Sequence, residues 1–359
     1  YSKNRTLTDS LESNHMKALI YIITILTAQS CTQHDIMHGK NILIKEFPQE
    51  TRFTGEKIDI ASIGIIGLHV IDTFLICHKA NGVDNFFDVY DTQTLRPLGK
   101  FLHVGRGPNE FLNAVYEEQY FKDSLNTYMW ICDGSLMKLV LFNLTESIRQ
   151  QETILDSCID LPKDCIGNHF ILGDTLISIV NSSVGHTLST YDLKKDIPLQ
   201  QPIVMFSFPF NNCTYALNMG NRLRPDHEKF ASIMIYFNQI NIFSPRFTDV
   251  TTLSIYEPTV PIKEISFTPE RERIWYFSDL RVTNSHIYAL YINNPSPYLH
   301  EFNKRVEIQQ FDWEGAPVRK FTISNSLISF ALDMNHKCIY GNTINDEIYK
   351  YDIQNYCNQ

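Results

Sequence analysis

One order of elements recurs six times along the chain. In each copy an apolar, strand-like run precedes a loop and a second run, which ends on an aromatic and a polar residue. The aromatic residues of these pairs are Tyr90, Phe142, Tyr191, Phe243, Phe311 and Tyr351, at intervals of 52, 49, 52, 68 and 40 residues. A unit of roughly 40–50 residues with about four strands is typical of a propeller blade. The repeat therefore predicts an all-β fold, a six-bladed β-propeller.

The two ends of the chain complement each other in this interpretation. The last copy ends at Tyr351-Asp352 without a further outer strand, whereas the strand-like run at residues 41–47 belongs to no copy. We expect this N-terminal strand to join the last blade and close the ring, because an unpaired edge strand is a liability. A double β-sandwich is the alternative fold, but it would not predict both a missing outer strand in the last copy and an unassigned strand near the N-terminus.

Composition limits the classes of function. With 43% hydrophobic and 12% aromatic residues, the chain can bury a large core. The formal charge of -9 and the pI near 5.7 argue against nucleic-acid binding, which needs a basic patch. No nucleic-acid partner is expected.

The N-terminal region has the pattern of an export signal. Lys17 precedes an apolar run at residues 18–28, and Gln29, Ser30 and Cys31 follow. Eleven residues at about 1.5 Å each cannot cross a bilayer core of about 30 Å. We expect a leader and signal peptide at residues 1–30, a tether at 31–40 and the propeller at 41–359. An ordinary secretory signal, in which Cys31 carries no modification, is one interpretation of this pattern.

The remaining cysteines favour neither a disulfide framework nor a metal centre. Cys77, Cys132 and Cys338 lie in apolar strand-like runs, where buried free thiols are expected. Cys158 and Cys165 could form a disulfide. No pair of cysteines has the close spacing of a zinc site, and no catalytic motif is present. We therefore predict no catalytic residues, no metal and no cofactor.

A glycine-rich segment connects the first copy to the second. It comprises Gly105, Arg106, Gly107, Pro108, Asn109, Glu110 and Phe111. Glycines permit backbone angles closed to other residues, and proline fixes its own φ. We interpret the segment as a structural crossover, in which Arg106 and Glu110 hold the turn and Phe111 packs between blades.

This crossover resembles the Gly-Pro-Gly-Glu-Phe segment of six-bladed, TolB-like or NHL-like propeller lipoproteins of Bacteroides-type bacteria. Asn109 stands where that family usually has glycine, and the Ala28–Cys31 segment resembles a bacterial lipobox with alanine in place of the usual leucine. The resemblance implies acylation of Cys31 and attachment to the membrane through that lipid. It further implies an outer-membrane or periplasm-facing lipoprotein of a Gram-negative cell envelope.

The densest polar loop lies in the fourth copy, at residues 218–229. Arg222, Arg224, Asp226 and His227 could converge there on an anionic or sugar ligand at a propeller face. A solvated charged loop is the alternative interpretation. We name these four residues as the candidate binding loop.

The function that follows by analogy is a binding or scaffolding module of the cell envelope, acting as a monomer on a protein or glycan partner. One alternative is a metal-dependent propeller enzyme of the lactonase or lyase type, which would need inward-facing oxygen ligands around a hard cation. Another alternative is a glycan-sensing partner of an uptake system.

Overall fold

The computed structural model describes residues 37, 39–80, 84–162, 165, 167–182, 185–207, 219–259, 261–295 and 305–356. Within them, 27 strands form six sheets. Each sheet contains at least three strands that follow one another in the chain and pair antiparallel. The fold is therefore a six-bladed β-propeller, as the repeat predicts.

Three short strands precede the first blade, and each of the first three blades then occupies one continuous part of the chain. The early strands are β1 (Lys40–Ile44), β2 (Glu50–Phe53) and β3 (Glu56–Ile58). Blade 1 contains β4 (Ile65–Ile71), β5 (Phe74–Lys79), β6 (Asn85–Asp91) and β7 (Pro97–His103). Blade 2 contains β8 (Val115–Lys122), β9 (Thr127–Asp133), β10 (Lys138–Asn143) and β11 (Leu155–Asp160). Blade 3 contains β12 (Gly167–Leu172), β13 (Thr175–Ser182) and β14 (Gly185–Asp192), with β15 (Ile197–Pro198) and β16 (Ile203–Ser207) both paired to β14.

The last three blades are completed by the early strands. Blade 4 contains β17 (Met219–Leu223), β18 (Phe230–Met234), β19 (Gln239–Phe243) and β20 (Thr251–Ile255). Blade 5 contains β21 (Ile274–Val282), β22 (His286–Pro295), β23 (Val306–Asp312) and β24 (Pro317–Ile323). Blade 6 contains β25 (Leu327–Asp333), β26 (Cys338–Thr343) and β27 (Ile348–Asp352).

The six terminal aromatic residues all lie on the third strand of a blade, which explains the regular repeat. Five of them are buried and Tyr191 is partly exposed. Phe142, for example, packs with Phe86, Phe101 and Phe111, so this apolar cluster joins blade 1 to blade 2. The regular spacing of the aromatic residues in the sequence therefore arises because each blade places one on its third strand, as Phe142 illustrates for the packing of blade 1 on blade 2.

Helical structure is sparse in the described part of the chain. Helix α1 (Leu144–Gln150) links β10 to β11, and its first turn is capped by the Asn143 side chain, which accepts from the Glu146 N–H. Helix α2 (Ile262–Phe267) lies between blades 4 and 5, and short 3-10 turns occupy Glu270–Glu272 and Gln354–Tyr356. None of the described helices is long and apolar enough to span a bilayer.

The N-terminal region closes the ring, but the strand that does so differs from the prediction. Residues 40–44 (β1) run parallel to β20 and extend blade 4, and β2 likewise runs parallel to β24 in blade 5. The edge of blade 6 is instead paired with the three-residue strand β3, antiparallel to β27. Ile44 is buried with Leu253 and Phe311. This apolar site at blades 4 and 5, rather than the open edge, accounts for the position of β1.

Candidate functional site

The inner strands of the blades meet around the propeller axis. The Leu68 N–H of blade 1 donates to Ser329 Oγ of blade 6 over 3.2 Å, and Asn221 of blade 4 donates to Asn168 of blade 3 over 2.9 Å. At one end of these strands, blades 1, 2, 4, 5 and 6 surround a cavity of about 620 Å3. We call it the channel-mouth cavity. Its acidic, basic and histidine lining residues are His69, Asp72, Glu118, Lys122, Arg222, Arg224, His227, Arg281 and Asp333.

Glu118 is placed at the centre of this lining by an irregularity in β8. The pairing of β8 with β9 shifts between Tyr116 and Tyr120, and Glu118 has a left-handed φ of 58°. A β-bulge re-aims a side chain, and a non-glycine residue in this conformation is uncommon outside functional or tightly constrained positions. The bulge therefore presents a single carboxylate to the charged groups of other blades.

Three positively charged or titratable groups converge on that carboxylate. Arg222 of blade 4 lies 3.0 Å from Glu118 Oε1, Arg281 of blade 5 lies 3.4 Å away, and His69 Nδ1 of blade 1 lies 3.2 Å away. All four side chains are largely buried. The channel mouth is thus held together by contacts that exist only when four blades are in place.

Asp279 provides the second carboxylate of the cluster. It lies 2.7 Å from Arg281 Nη1 and 3.6 Å from Arg222 Nη2, and its other oxygen accepts the Phe330 N–H over 3.0 Å. Arg281 also donates to the Leu68 carbonyl oxygen over 2.8 Å. These contacts fix the Arg281 guanidinium against blades 1, 5 and 6.

The electrostatic balance keeps these groups charged although they are buried. Burial acts to raise the pKa of Glu118, but Arg222, Arg281 and His69 together outweigh it and hold the pKa well below its ordinary value. Burial likewise acts to lower the pKa of Arg281, and the charges of Asp279 and Glu118 outweigh that effect, so its pKa is raised. Two guanidinium groups and two carboxylates therefore form a compact, balanced network.

The network leaves hydrogen-bonding capacity unused. Arg222 Nε, Arg281 Nε and His69 Nε2 are buried without a hydrogen-bond partner among the described residues. Buried polar groups are normally paired, and each exception needs an explanation. The three residues line the cavity through other atoms, since these nitrogens are themselves buried.

The predicted binding loop lies at this same end of the propeller. Arg222, Arg224 and His227 line the channel-mouth cavity, and Asp226 does not. Asp226 instead accepts from Arg224 over 2.6 Å, while Arg224 lies over the Trp313 ring at 5.4 Å. The loop therefore contributes one residue to the buried network and two to its rim.

No sequence motif points to His69, Glu118, Asp279 or Arg281. Each of them is a polar or charged residue within a strand-like sequence segment, as Glu118 is between Tyr116 and Tyr120. Charged residues are rarely buried unless they are paired, so such positions on inner strands were the available clue. The pairing itself joins residues from different blades and has no local pattern.

In the described part of the chain, the two carboxylates of the buried network do not form the oxygen-ligand ring that the lactonase-type alternative requires. Glu118 and Asp279 both face guanidinium groups, whose positive charge opposes a bound cation. The arrangement suits an anion better than a hard metal ion.

The crossover segment is a tight turn between β7 and β8. Val104 and Phe111 form a parallel bridge, and the Glu110 carboxylate accepts the Gly107 N–H over 2.6 Å. A Cβ atom at Gly105 would lie 1.9 Å from Glu110 Oε2, so a larger residue there would displace this carboxylate from the turn. Phe111 is buried with the cluster that joins blades 1 and 2.

Asn109 takes the left-handed conformation that the turn needs, with φ at 61°. Its side-chain amide donates to the Thr153 carbonyl oxygen over 3.3 Å. Arg106 and Pro108 are exposed. The segment thus has the geometry of a structural link in which Glu110, rather than Arg106, holds the turn.

The described cysteines are all free thiols. Cys77, Cys132 and Cys338 are buried, as their apolar surroundings in the sequence predict. Cys158 is exposed and Cys165 is buried, and they are not joined to each other. Cys31, with the predicted leader and most of the tether, lies outside the described residues.

Fold and site together define a six-bladed β-propeller with a charged channel mouth. No family model and no curated protein matches the chain. Its fold is similar to that of a DUF4221 family member from Bacteroides vulgatus, with a TM-score of 0.54 and 9% identity over 86% of this chain and 93% of that one. It is also similar to a protein from Bacteroides fragilis assigned as exported, with a TM-score of 0.50 and 11% identity over 87% and 98% of the two chains. These likenesses show the fold, and membership of a TolB-like or NHL-like family stays a prediction.

Proposed function

We propose that this protein is a binding module of the cell envelope that holds a small anionic ligand, such as an acidic sugar, in the channel-mouth cavity. The observation that carries the proposal is the convergence of Arg222, Arg281 and His69 on this cavity from three blades. Arginine offers paired N–H donors that match the geometry of a carboxylate.

The size and charge of the cavity support a small anion. Its volume of about 620 Å3 falls within the range of about 300–1,000 Å3 that is usual for small-molecule sites. Its lining contains four lysine or arginine residues and three aspartate or glutamate residues, in a chain whose overall charge is -9. The arginines at the channel mouth thus lie together at the cavity wall, although the overall charge of the chain is negative.

Calorimetric titration with glucuronate and with glucose tests the proposal. We expect glucuronate to bind and glucose to bind far more weakly, and we expect Arg222→Ala to weaken glucuronate binding. The loss of one charge-assisted hydrogen bond corresponds to roughly 10- to 150-fold in affinity. Arg96→Ala, which removes an exposed arginine in the turn after β6, is the matched control and should bind normally. Equal binding of the two sugars, or no effect of Arg222→Ala, would contradict the proposal.

We also propose that the protein is exported and anchored through a lipid on Cys31. The lipobox-like segment before Cys31 supports this, as does a fold shared with a protein assigned as exported. The test is metabolic labelling with palmitate during expression of the full chain in a Gram-negative host. Label should appear in the wild type and in Cys158→Ala and be absent from Cys31→Ala. Label that persists in Cys31→Ala would refute the anchor.

A further inference from the structure

A second cluster of ionisable side chains lies away from the channel-mouth cavity, between blades 2 and 3. It consists of Glu117 on β8, Cys132 on β9 and His169 on β12, with relative exposures of 3%, 4% and 2%. One ligand atom from each residue lies within 4.8 Å of the other two. A carboxylate oxygen, a sulfur and an imidazole nitrogen thus meet in a site closed to solvent.

The surroundings of His169 fix which ring nitrogen faces the cluster. Its Nε2 lies 3.1 Å from the Cys165 carbonyl oxygen, which can only accept a hydrogen bond, so Nε2 carries the hydrogen. Nδ1 then faces Glu117 Oε1 at 3.0 Å, and in the neutral ring it presents a lone pair to that oxygen. The 3.0 Å separation is that of a hydrogen bond, so a proton lies between them, and a metal ion would take the place of that proton. Metal-binding histidines commonly donate their other ring N–H to a carbonyl in this way.

Glu117 is oriented for the same role. Its second oxygen, Oε2, accepts the His169 backbone N–H over 2.9 Å, which holds the carboxylate across the boundary between the blades. Both ligands are therefore positioned by contacts that a metal ion would leave intact.

The charge of the site is the same with and without a divalent ion. A divalent cation at this position would replace the proton between Nδ1 and Oε1 and the proton of the Cys132 thiol, and both protons would be released to solvent. Exchange of two protons for one divalent cation leaves the net charge unchanged. Ion binding therefore avoids the large cost of adding net charge to a buried site.

We propose that Glu117, Cys132 and His169 supply three ligands of a zinc site that joins blade 2 to blade 3. Mixed nitrogen, sulfur and oxygen ligands suit Zn2+, whereas Mg2+ and Ca2+ prefer oxygen alone. Ordinary zinc bond lengths in a tetrahedral site separate the ligand atoms by roughly 3.3–3.6 Å. Zn2+ would therefore widen the 3.0 Å contact between Nδ1 and Oε1 slightly, and the three side chains would fill three of its four positions. The sequence pattern could not indicate this site, because its ligands come from three strands of two blades.

The test uses the purified protein after treatment with a chelator. It is titrated with Zn2+ in competition with a chromophoric indicator, and separately with Co2+, whose thiolate complexes give a charge-transfer absorption. We expect one equivalent of Zn2+, a cobalt–thiolate band and a higher unfolding temperature with zinc. In Cys132→Ser the band should disappear, and zinc affinity should fall by at least about 100-fold.

Cys77→Ser is the matched control, because Cys77 is a buried thiol on the second strand of blade 1, as Cys132 is in blade 2. It should bind both metals like the wild type. If Cys132→Ser does not fold, the cobalt spectrum of His169→Gln is compared with that of the wild type. The thiolate band should then be present in the wild type and absent from His169→Gln. Absence of the band in the wild type, or its survival in either variant, would overturn the proposal and leave a buried Glu117–His169 ion pair.

Discussion

Replacing Glu118 by glutamine should destabilise the propeller through its charged channel mouth. Removal of one partner from a buried ion pair typically costs about 3–5 kcal/mol, because the remaining charge is left uncompensated. Here Asp279 still faces Arg281 at 2.7 Å and Arg222 at 3.6 Å. We therefore expect the lower end of this range, about 3 kcal/mol in the free energy of unfolding. Urea denaturation at pH 7 measures it.

The pH dependence gives a second measurement of the same effect. Since the folded-state pKa of Glu118 is lowered, its contribution to stability is fully present above its ordinary value of about 4.3. The contribution is lost as the pH falls towards the folded-state pKa, so the stability gap between wild type and variant should narrow below about pH 4.3. Glu314→Gln, which removes an exposed carboxylate 3.3 Å from Lys229, should cost less than about 1 kcal/mol. If Glu118→Gln costs no more than this control, or if its gap is independent of pH, the reasoning is refuted.

Three further predictions concern other parts of the fold. Asn109→Val should cost roughly 1–2 kcal/mol in urea denaturation because of the left-handed φ, whereas Asn109→Gly should cost less, and equal losses would contradict this. A thiol reagent applied to the native protein should label exposed Cys158 and spare Cys338, because burial raises the pKa of the Cys338 thiol to about 11. Peptide mapping locates the label, and early labelling of Cys338 would count against its burial. Burial and the nearby His69 lower the pKa of His78 to about 4, so its ring resonances in NMR should stay those of neutral imidazole from pH 7 down to about pH 5, and a midpoint near 6.5 would show the ring to be solvated.

The number of blades could be predicted from the sequence because a blade is a local structure. Its successive strands are neighbours in the chain, so alternation and the terminal aromatic residues repeat at each copy. The buried thiols at Cys77 and Cys338 were predictable for the same reason, since their surroundings are local. The left-handed φ of Asn109 is likewise a local feature, because it depends on the turn that contains this residue.

The partners of the N-terminal strands could not be predicted from local pattern. An open edge in the last blade indicated that an early strand would be needed there, but three blades have outer edges that accept one. The apolar alternation of residues 41–47 gives no preference among them. Packing of Ile44 between blades 4 and 5 decides the choice, and the short β3 is left to close the ring.

The sequence by itself determined the propeller, its blade count and the position of a charged loop, since these depend on residues close together in the chain. Only the tertiary structure brought Arg222 of that loop to Glu118, Arg281 and His69, which come from four different blades. The physical reason is that a propeller site forms at the axis, where inner strands far apart in sequence become neighbours once the ring is closed. Charge pairing there depends on that geometry and on the bulge at Glu118, and neither has a periodic pattern in the sequence.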